Sequence, residues 1–414
     1  MLLNLFQKTR WLRAIMLFYL LVGSFLVANA QYFDLQKNRK HVIIPFHLVR
    51  NMVVIQLKIN DKGPFNFVLD TGVGLMIITE PSLIDSINLA SKRLITIPGL
   101  GEGEDHEAYA TSQLNIIIPG LISNGVSAVI LKKDQFNLSS YVGMPIHGLL
   151  GYEFFNNLAV KIDFGDSTLN VCRPKDLHAF RKSNKIPISI EERKPYLQAK
   201  VTLPGGKTVD DKMVIDIGAG HPISIENMIQ NNGLPTKFIQ ANLGVGLNGP
   251  INGFLSRVDE IDIGKFKIKN VISSFPDNTK EHIITSVPRD GSIGIGMLKK
   301  FTVIFDYADN VLYLKPGPYY DEPFEHDMSG MEYYSSGDNY QHVIISRVET
   351  GSAADMIGLE KGDEIVSINL KPVNKMSLEQ IDALFKSRDG RSLLLEIYHD
   401  KKYDNVVLTL KRRI

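Results

Sequence analysis

Two aspartates stand at equivalent places in two similar stretches of the chain, Asp70-Thr71-Gly72 and Asp216-Ile217-Gly218. Each ends an apolar run, Phe67-Val68-Leu69 in the first and Met213-Val214-Ile215 in the second. Each is followed two residues on by a glycine, which gives a tight turn free of a Cβ clash. Two carboxyls brought face to face can do what neither does alone. Like charges about 3 Å apart cannot both ionise, so such a pair shares one proton and titrates with one low and one high apparent pKa. The ionised member can activate a water as general base while the protonated member supplies a general acid. Hydrolysis of an amide without metal or nucleophile needs that division of roles. A lone Asp-Thr-Gly reads best as a strand-end turn; its duplication favours a catalytic pair, Asp70 with Asp216, supported by Thr71, Gly72 and Gly218.

The elements that must carry these residues repeat in the same order. Ile44-Pro45-Phe46 leads to the alternating stretch 52–59, a turn at Asp61-Lys62-Gly63-Pro64, and the first motif. Ile186-Pro187-Ile188 leads to the stretch 196–201, a turn at Pro204-Gly205-Gly206, and the second. Both copies have the period-2 pattern of a β-hairpin with a turn signal between its strands. A glycine-rich segment follows in each, 99–103 and 244–249, expected to form a hairpin tip. Each copy closes on an apolar-glycine block, Gly148-Leu149-Leu150-Gly151 or Gly291-Ser292-Ile293-Gly294; Gly151 follows Asp70 by 81 residues and Gly294 follows Asp216 by 78. Such a repeat decides the architecture.

At 414 residues the chain is long for one core, and three folded units are expected. With 44% hydrophobic residues, 22% charged residues and a formal net charge of +1, neither disorder nor nucleic-acid binding is indicated. Cys172 is the single cysteine, so no intramolecular disulfide forms, and it reads as a small buried hydrophobe. Lys8, Arg10 and Arg13 precede an apolar run from Ala14 to Val27 and a small-x-small site at Ala28-Asn29-Ala30. Residues 1–30 are therefore expected to be a signal peptide and the protein to be exported, most simply to a periplasm, with an uncleaved N-terminal membrane anchor as the alternative. Gly244 to Gly249 matches G-x-G-x-x-G, but Pro250 and Gly253 follow where a dinucleotide site needs a helix. His106, His147 and His221 lack metal-ligand spacing and read as solvated loop or turn positions. No metal or cofactor is expected, and no G-x-S-x-G elbow is present.

Residues from about 40 to 315 resemble the pepsin and retropepsin superfamily of aspartic proteases, in a bacterial single-chain form with two lobes. The resemblance rests on the two motifs and their apolar-glycine blocks. It implies a mainly β fold, a duplicated two-lobed acid-protease β-barrel, with lobes at 31–182 and 183–318. It also implies that Asp70 and Asp216 hold the catalytic water, and that the segments around Gly101 and Gly246 are substrate-covering flaps. Ile217 departs from the pattern by standing where a threonine normally bonds across to the opposite lobe, leaving Thr71 alone to make that link. Val73 and Ala219 stand where acid-active members have a hydrogen-bonding serine, so both apparent pKa values are expected to sit higher than in a serine-bearing site.

Beyond the proline-rich stretch 315–323, expected to be a semi-rigid linker, residues 325–414 resemble an α+β PDZ domain. The resemblance rests on Gly351-Ser352-Ala353-Ala354, Gly358-Leu359, Gly362-Asp363 and Ile365-Val366-Ser367-Ile368-Asn369. It implies binding of a C-terminal peptide, with Gly330 and Met331 in the carboxylate loop and a helix capped by Ser377 walling the groove. Three functions stay open: an aspartic endopeptidase acting on peptide or protein substrates, a peptide-binding protein that keeps the fold without the chemistry, and an exported scaffold acting mainly through the PDZ groove.

Overall fold

The computed structural model describes residues 32–97, 106–180, 184–246, 249–277 and 286–414. The expected leader at 1–30 and the flap candidate Gly101 lie outside them.

The repeat read from the sequence is a repeat of topology. In the first lobe the motif strand Lys62–Leu69 pairs with Met52–Ile59 on one side and, in parallel, with Gly148–Leu150 on the other. Gly148–Leu150 then pairs antiparallel with Met76–Ile78, which runs parallel to Leu121–Leu131. The second lobe repeats each step: Thr208–Asp216 between Lys194–Thr202 and Gly291–Gly294, then Ile223–Ile225, then Phe266–Pro276. The apolar-glycine block is thus a short strand threaded between the two strands that flank the motif loop. Its glycines leave no choice of residue. A Cβ on Gly294 would sit 2.6 Å from the Ala219 carbonyl, and one on Gly151 2.6 Å from the Val73 side chain. Phe67, Val68 and Leu69 are fully buried, as are Met213, Val214 and Ile215, which explains why both motif strands read as apolar runs at their ends.

A third sheet ties the lobes together. Its order is Lys185–Pro187, Val311–Pro316, Phe301–Asp306, Ala159–Asp163, Thr168–Cys172 and His41–Pro45. At its centre Ala159–Asp163 of the first copy runs antiparallel to Phe301–Asp306 of the second, Val160 opposite Phe305 and Lys161 opposite Ile304. One hydrophobic core runs through both lobes and this sheet, from Phe33 to Phe324. Cys172 is buried at the end of the strand Thr168–Cys172.

The C-terminal module has its own core, built on the strands Met331–Ser336, His342–Val348, Glu364–Ile368, Ser392–His399 and Lys402–Thr409. The helix Leu378–Phe385 closes it. Ser377 and Gln380 form a capping box at its start, and Leu378, Ile381 and Phe385 are buried. The proline-rich stretch is not a free spacer. Lys300 Nζ donates to the carbonyls of Tyr319, Tyr320 and Glu322, the Tyr320 ring packs 5.3 Å from that of Phe301, and Arg257 donates to Phe324 O at 2.9 Å. Its half-buried tyrosines pack it against the second lobe, a preference that prolines alone did not signal.

Candidate active site

Both motif aspartates leave their strands at the interface of the lobes, and the glycines after them set how close the two loops come. A Cβ on Gly72 would sit 2.5 Å from Asp216 Oδ2, and one on Gly218 would overlap the Asp70 carboxyl. Only a residue without a side chain lets each loop reach the opposite carboxylate. Gly72 N donates to Asp70 Oδ1 at 2.7 Å and Gly218 N to Asp216 Oδ1 at 2.9 Å, so each carboxyl is oriented by its own turn. Each carboxyl lies against the motif glycine of the opposite loop, so the two face each other across the interface. Burial, and then the charge of Asp216, push the Asp70 carboxyl well above the ordinary carboxylate range. The pair therefore holds its proton well into conditions where exposed aspartates have lost theirs.

The link between the loops is one-sided, as Ile217 foretold, but both of its bonds come from one hydroxyl. Thr71 Oγ1 donates to Ile215 O at 2.7 Å and accepts from Ile217 N at 3.0 Å, in a site almost closed to solvent. Ile217 needs no hydroxyl for this, because its main chain is the donor, and its side chain is buried in the common core.

The aspartyl protease family matches residues 55–154, and the PDZ domain family matches residues 322–398. The chain carries an aspartyl protease domain and a C-terminal PDZ domain. No curated protein matches it. The protease match takes in Asp70 and the first apolar-glycine block; the second lobe is tied to the first by repeated topology and by the position of Asp216.

Several groups around Asp70 and Asp216 were not legible in the sequence. His221 is not a solvated turn residue: its Nε2 is hydrogen-bonded to Ser292 Oγ at 2.7 Å, and burial pulls its pKa down to about 4, against the pull of Asp216. Lys194 starts the strand that leads to the second motif hairpin. Burial and then Arg289 lower its pKa, while Asp216 and Asp70 hold it charged. Tyr307 is buried with its hydroxyl unpartnered among the described residues, and its ionisation is suppressed first by burial and then by Asp216 and Asp70. Glu153, two residues past Gly151, is buried and raised to about 7 by that burial, with Arg193 Nη1 4.0 Å away. Glu153 stands next to an apolar-glycine block, Tyr307 next to a shared-sheet strand, His221 just past the second motif and Lys194 on a hairpin strand, but nothing in their local pattern says that His221, Lys194 and Tyr307 come within electrostatic reach of the two aspartates. Gly246 closes the hairpin of Ile239–Gly246 and Gly249–Ile263, opposite Gly249. On that hairpin Asn242 Nδ2 donates to Glu332 Oε2 of the PDZ domain at 3.4 Å.

The PDZ domain's own binding features are already engaged. In the carboxylate loop, Ser329 N and Gly330 N donate to Asp327 Oδ1 at 2.9 and 2.8 Å, and Met331 N donates to Ser329 Oγ at 3.1 Å. Of the two amides expected to be offered to a ligand, the Asp327 carboxylate thus takes that of Gly330 and the Ser329 hydroxyl that of Met331. Between the edge strand Met331–Ser336 and the helix Leu378–Phe385, where an extended peptide would add to the sheet, lie residues of the first lobe. Arg50 Nε and Nη2 bond to Asp382 Oδ2 and Oδ1 at 3.1 and 2.9 Å, and Arg50 Nη1 donates to Tyr333 O at 3.0 Å and Tyr141 O at 2.9 Å. A Cβ on Gly143 would stand 3.1 Å from Leu378 and 3.2 Å from Ser335 Oγ.

Proposed function

We propose that this protein is an aspartic endopeptidase in which Asp70 and Asp216 activate a water between them and cleave peptide bonds in the cleft between the lobes. The observation that carries this is the meeting of two carboxyls at the lobe interface, each against the motif glycine of the opposite lobe and each held by the amide of its own motif glycine. In the resting pair one proton is shared, with Asp70 favouring the protonated state. The ionised partner takes a proton from water as it attacks the peptide carbonyl, and the protonated carboxyl gives its proton as the tetrahedral carbon collapses and the amine leaves. Thr71 holds the two loops in register, so the carboxyls need no reorganisation during the reaction. Export, with removal of residues 1–30, belongs to the same reading and rests on the charge and hydropathy pattern of that segment. The test is incubation of purified residues 31–414 with a diverse peptide library, with Asp70→Asn and Asp216→Asn as separate controls. Each substitution is expected to abolish turnover; an Asp216→Asn protein that keeps more than a few per cent of the wild-type rate would end the dyad assignment.

A further inference from the structure

Each lobe carries a two-residue hairpin turn that reaches across to the other lobe's motif loop. In the first lobe His47–Val49 pairs with Met52–Ile59 through Arg50-Asn51, with φ of 47° and 60°. In the second, Ser189–Glu191 pairs with Lys194–Thr202 through Glu192-Arg193, with φ of 46° and 65°. The second residue of each turn donates to the carbonyl of the glycine four positions past the opposite motif aspartate. Asn51 Nδ2 reaches Gly220 O at 2.9 Å, and Arg193 Nη1 reaches Gly74 O at 3.3 Å. Each motif loop is thus braced from the opposite lobe.

What stands behind the two braces differs. The Arg193 side chain is about half exposed, with Glu153 4.0 Å away and its guanidinium over the Tyr152 ring. Asn51 is fixed at both ends of its amide, its Oδ1 accepting from Lys299 Nζ at 3.0 Å. Its neighbour Arg50 has the left-handed backbone that the first position of this turn takes in both lobes, and the PDZ domain holds its side chain. The Arg50 side chain is 7% exposed, bidentate on Asp382, bonded to the Tyr333 carbonyl on the edge strand, and flanked by the rings of Tyr141 and Tyr333 at 4.7 and 4.6 Å. With the carboxylate loop closed by Asp327 and the groove filled by Arg50 and the 138–143 segment, an outside peptide has neither an end site nor an edge to pair with.

We propose that the PDZ domain's ligand is the first lobe of its own chain, and that the Arg50-Asn51 turn is a positioning strut through which this docking sets the Asp216 loop. The effect on catalysis rests on the peptidase reading; the mechanical link does not. Asp382→Asn weakens the clamp on Arg50 from the PDZ side. Asn51→Asp keeps the residue's tolerance of positive φ and its contact with Lys299 but removes the donor to Gly220. Hydrogen exchange on the full chain reads the strut directly: both variants are expected to speed exchange across 217–221, with the motif strand Thr208–Asp216 unchanged. In the turnover assay both should lower kcat about fivefold to tenfold, the loss of one or two hydrogen bonds, with KM within twofold. Arg50→Lys, which keeps the charge but not the fork, should fall between them and the wild type, and serves if Asp382→Asn does not fold. Unchanged exchange at 217–221 in Asp382→Asn would overturn the strut. A wild type without turnover would instead sink the peptidase reading, and the exchange measurements would still decide the strut.

Discussion

Asp70 is the group in this molecule whose chemistry and energetics are most tightly joined. Its carboxyl is raised first by burial and then by Asp216, so the folded chain keeps a proton that the unfolded chain gives up near pH 3.9. Between that value and the raised one, the native state binds more protons than the unfolded state. Stability contributed by the proton is present below about pH 3.9 and is lost as pH rises through the folded value. Asp70→Asn retains the shape and an acceptor for Gly72 N but has no proton to lose. Its melting temperature relative to wild type should therefore climb as pH goes from about 4 to 7, while activity is absent throughout. A constant difference across that range would mean that the pair is not sharing a proton as described. His221 carries the opposite sign. Its pKa of about 4 means that it contributes stability above about pH 6.5, lost as pH falls toward 4, because the unfolded chain takes up the proton first.

Among the elements, the two motif loops show how a repeat can be symmetric in topology and asymmetric in chemistry. Thr71 supplies a donor and an acceptor to the opposite loop; Ile217 supplies an amide and fills the core. Thr71→Val nearly conserves volume yet leaves the Ile215 carbonyl and the Ile217 amide buried without a partner. At about 1–3 kcal/mol for each orphaned group, a loss of about 2–6 kcal/mol is expected in urea denaturation, with activity falling as the loops lose register. A loss below 1 kcal/mol would show that the loops are held elsewhere. These elements were readable because their signals are local: apolar runs ending in Asp, glycines where no Cβ fits, and a serine cap at Ser377. The braces were not. Nothing in Arg50-Asn51 or Glu192-Arg193 says that a turn in one lobe reaches a glycine carbonyl in the other, since that contact depends on the docking of lobes about 120 to 170 residues apart in sequence. Nor does the sequence at Gly330 and Met331 say where their amides go: Asp327, which accepts from Gly330 N, lies just before the loop and carries no motif of its own.

For the whole molecule, the distribution of burial predicts how it comes apart. One core runs through both lobes and is crossed by a sheet to which both contribute central strands, so the lobes should unfold as a single cooperative unit despite their repeat. The PDZ domain has a separate core and joins the lobes through polar contacts centred on Arg50 and Asp382. Calorimetry should therefore resolve two transitions. The docking between them has a pH dependence of its own. Burial works to raise the Asp382 carboxyl, but the bonds and charge of Arg50, then Lys386, then the Tyr333 hydroxyl outweigh it and leave its pKa below the ordinary range. A lowered carboxylate contributes stability that is present above its unfolded value near 3.9 and is lost as pH falls through the folded value. Acidification to that point should undock the PDZ domain before the lobes unfold. It should be seen as a larger radius of gyration in solution scattering and faster amide exchange in Leu378–Phe385, while exchange in the shared sheet stays slow. Asp382→Asn should show both changes already at neutral pH and lose the acid step. If the wild type stayed compact down to the pH at which the lobes themselves melt, the Arg50–Asp382 clamp would not be what holds the PDZ domain against the aspartyl protease domain.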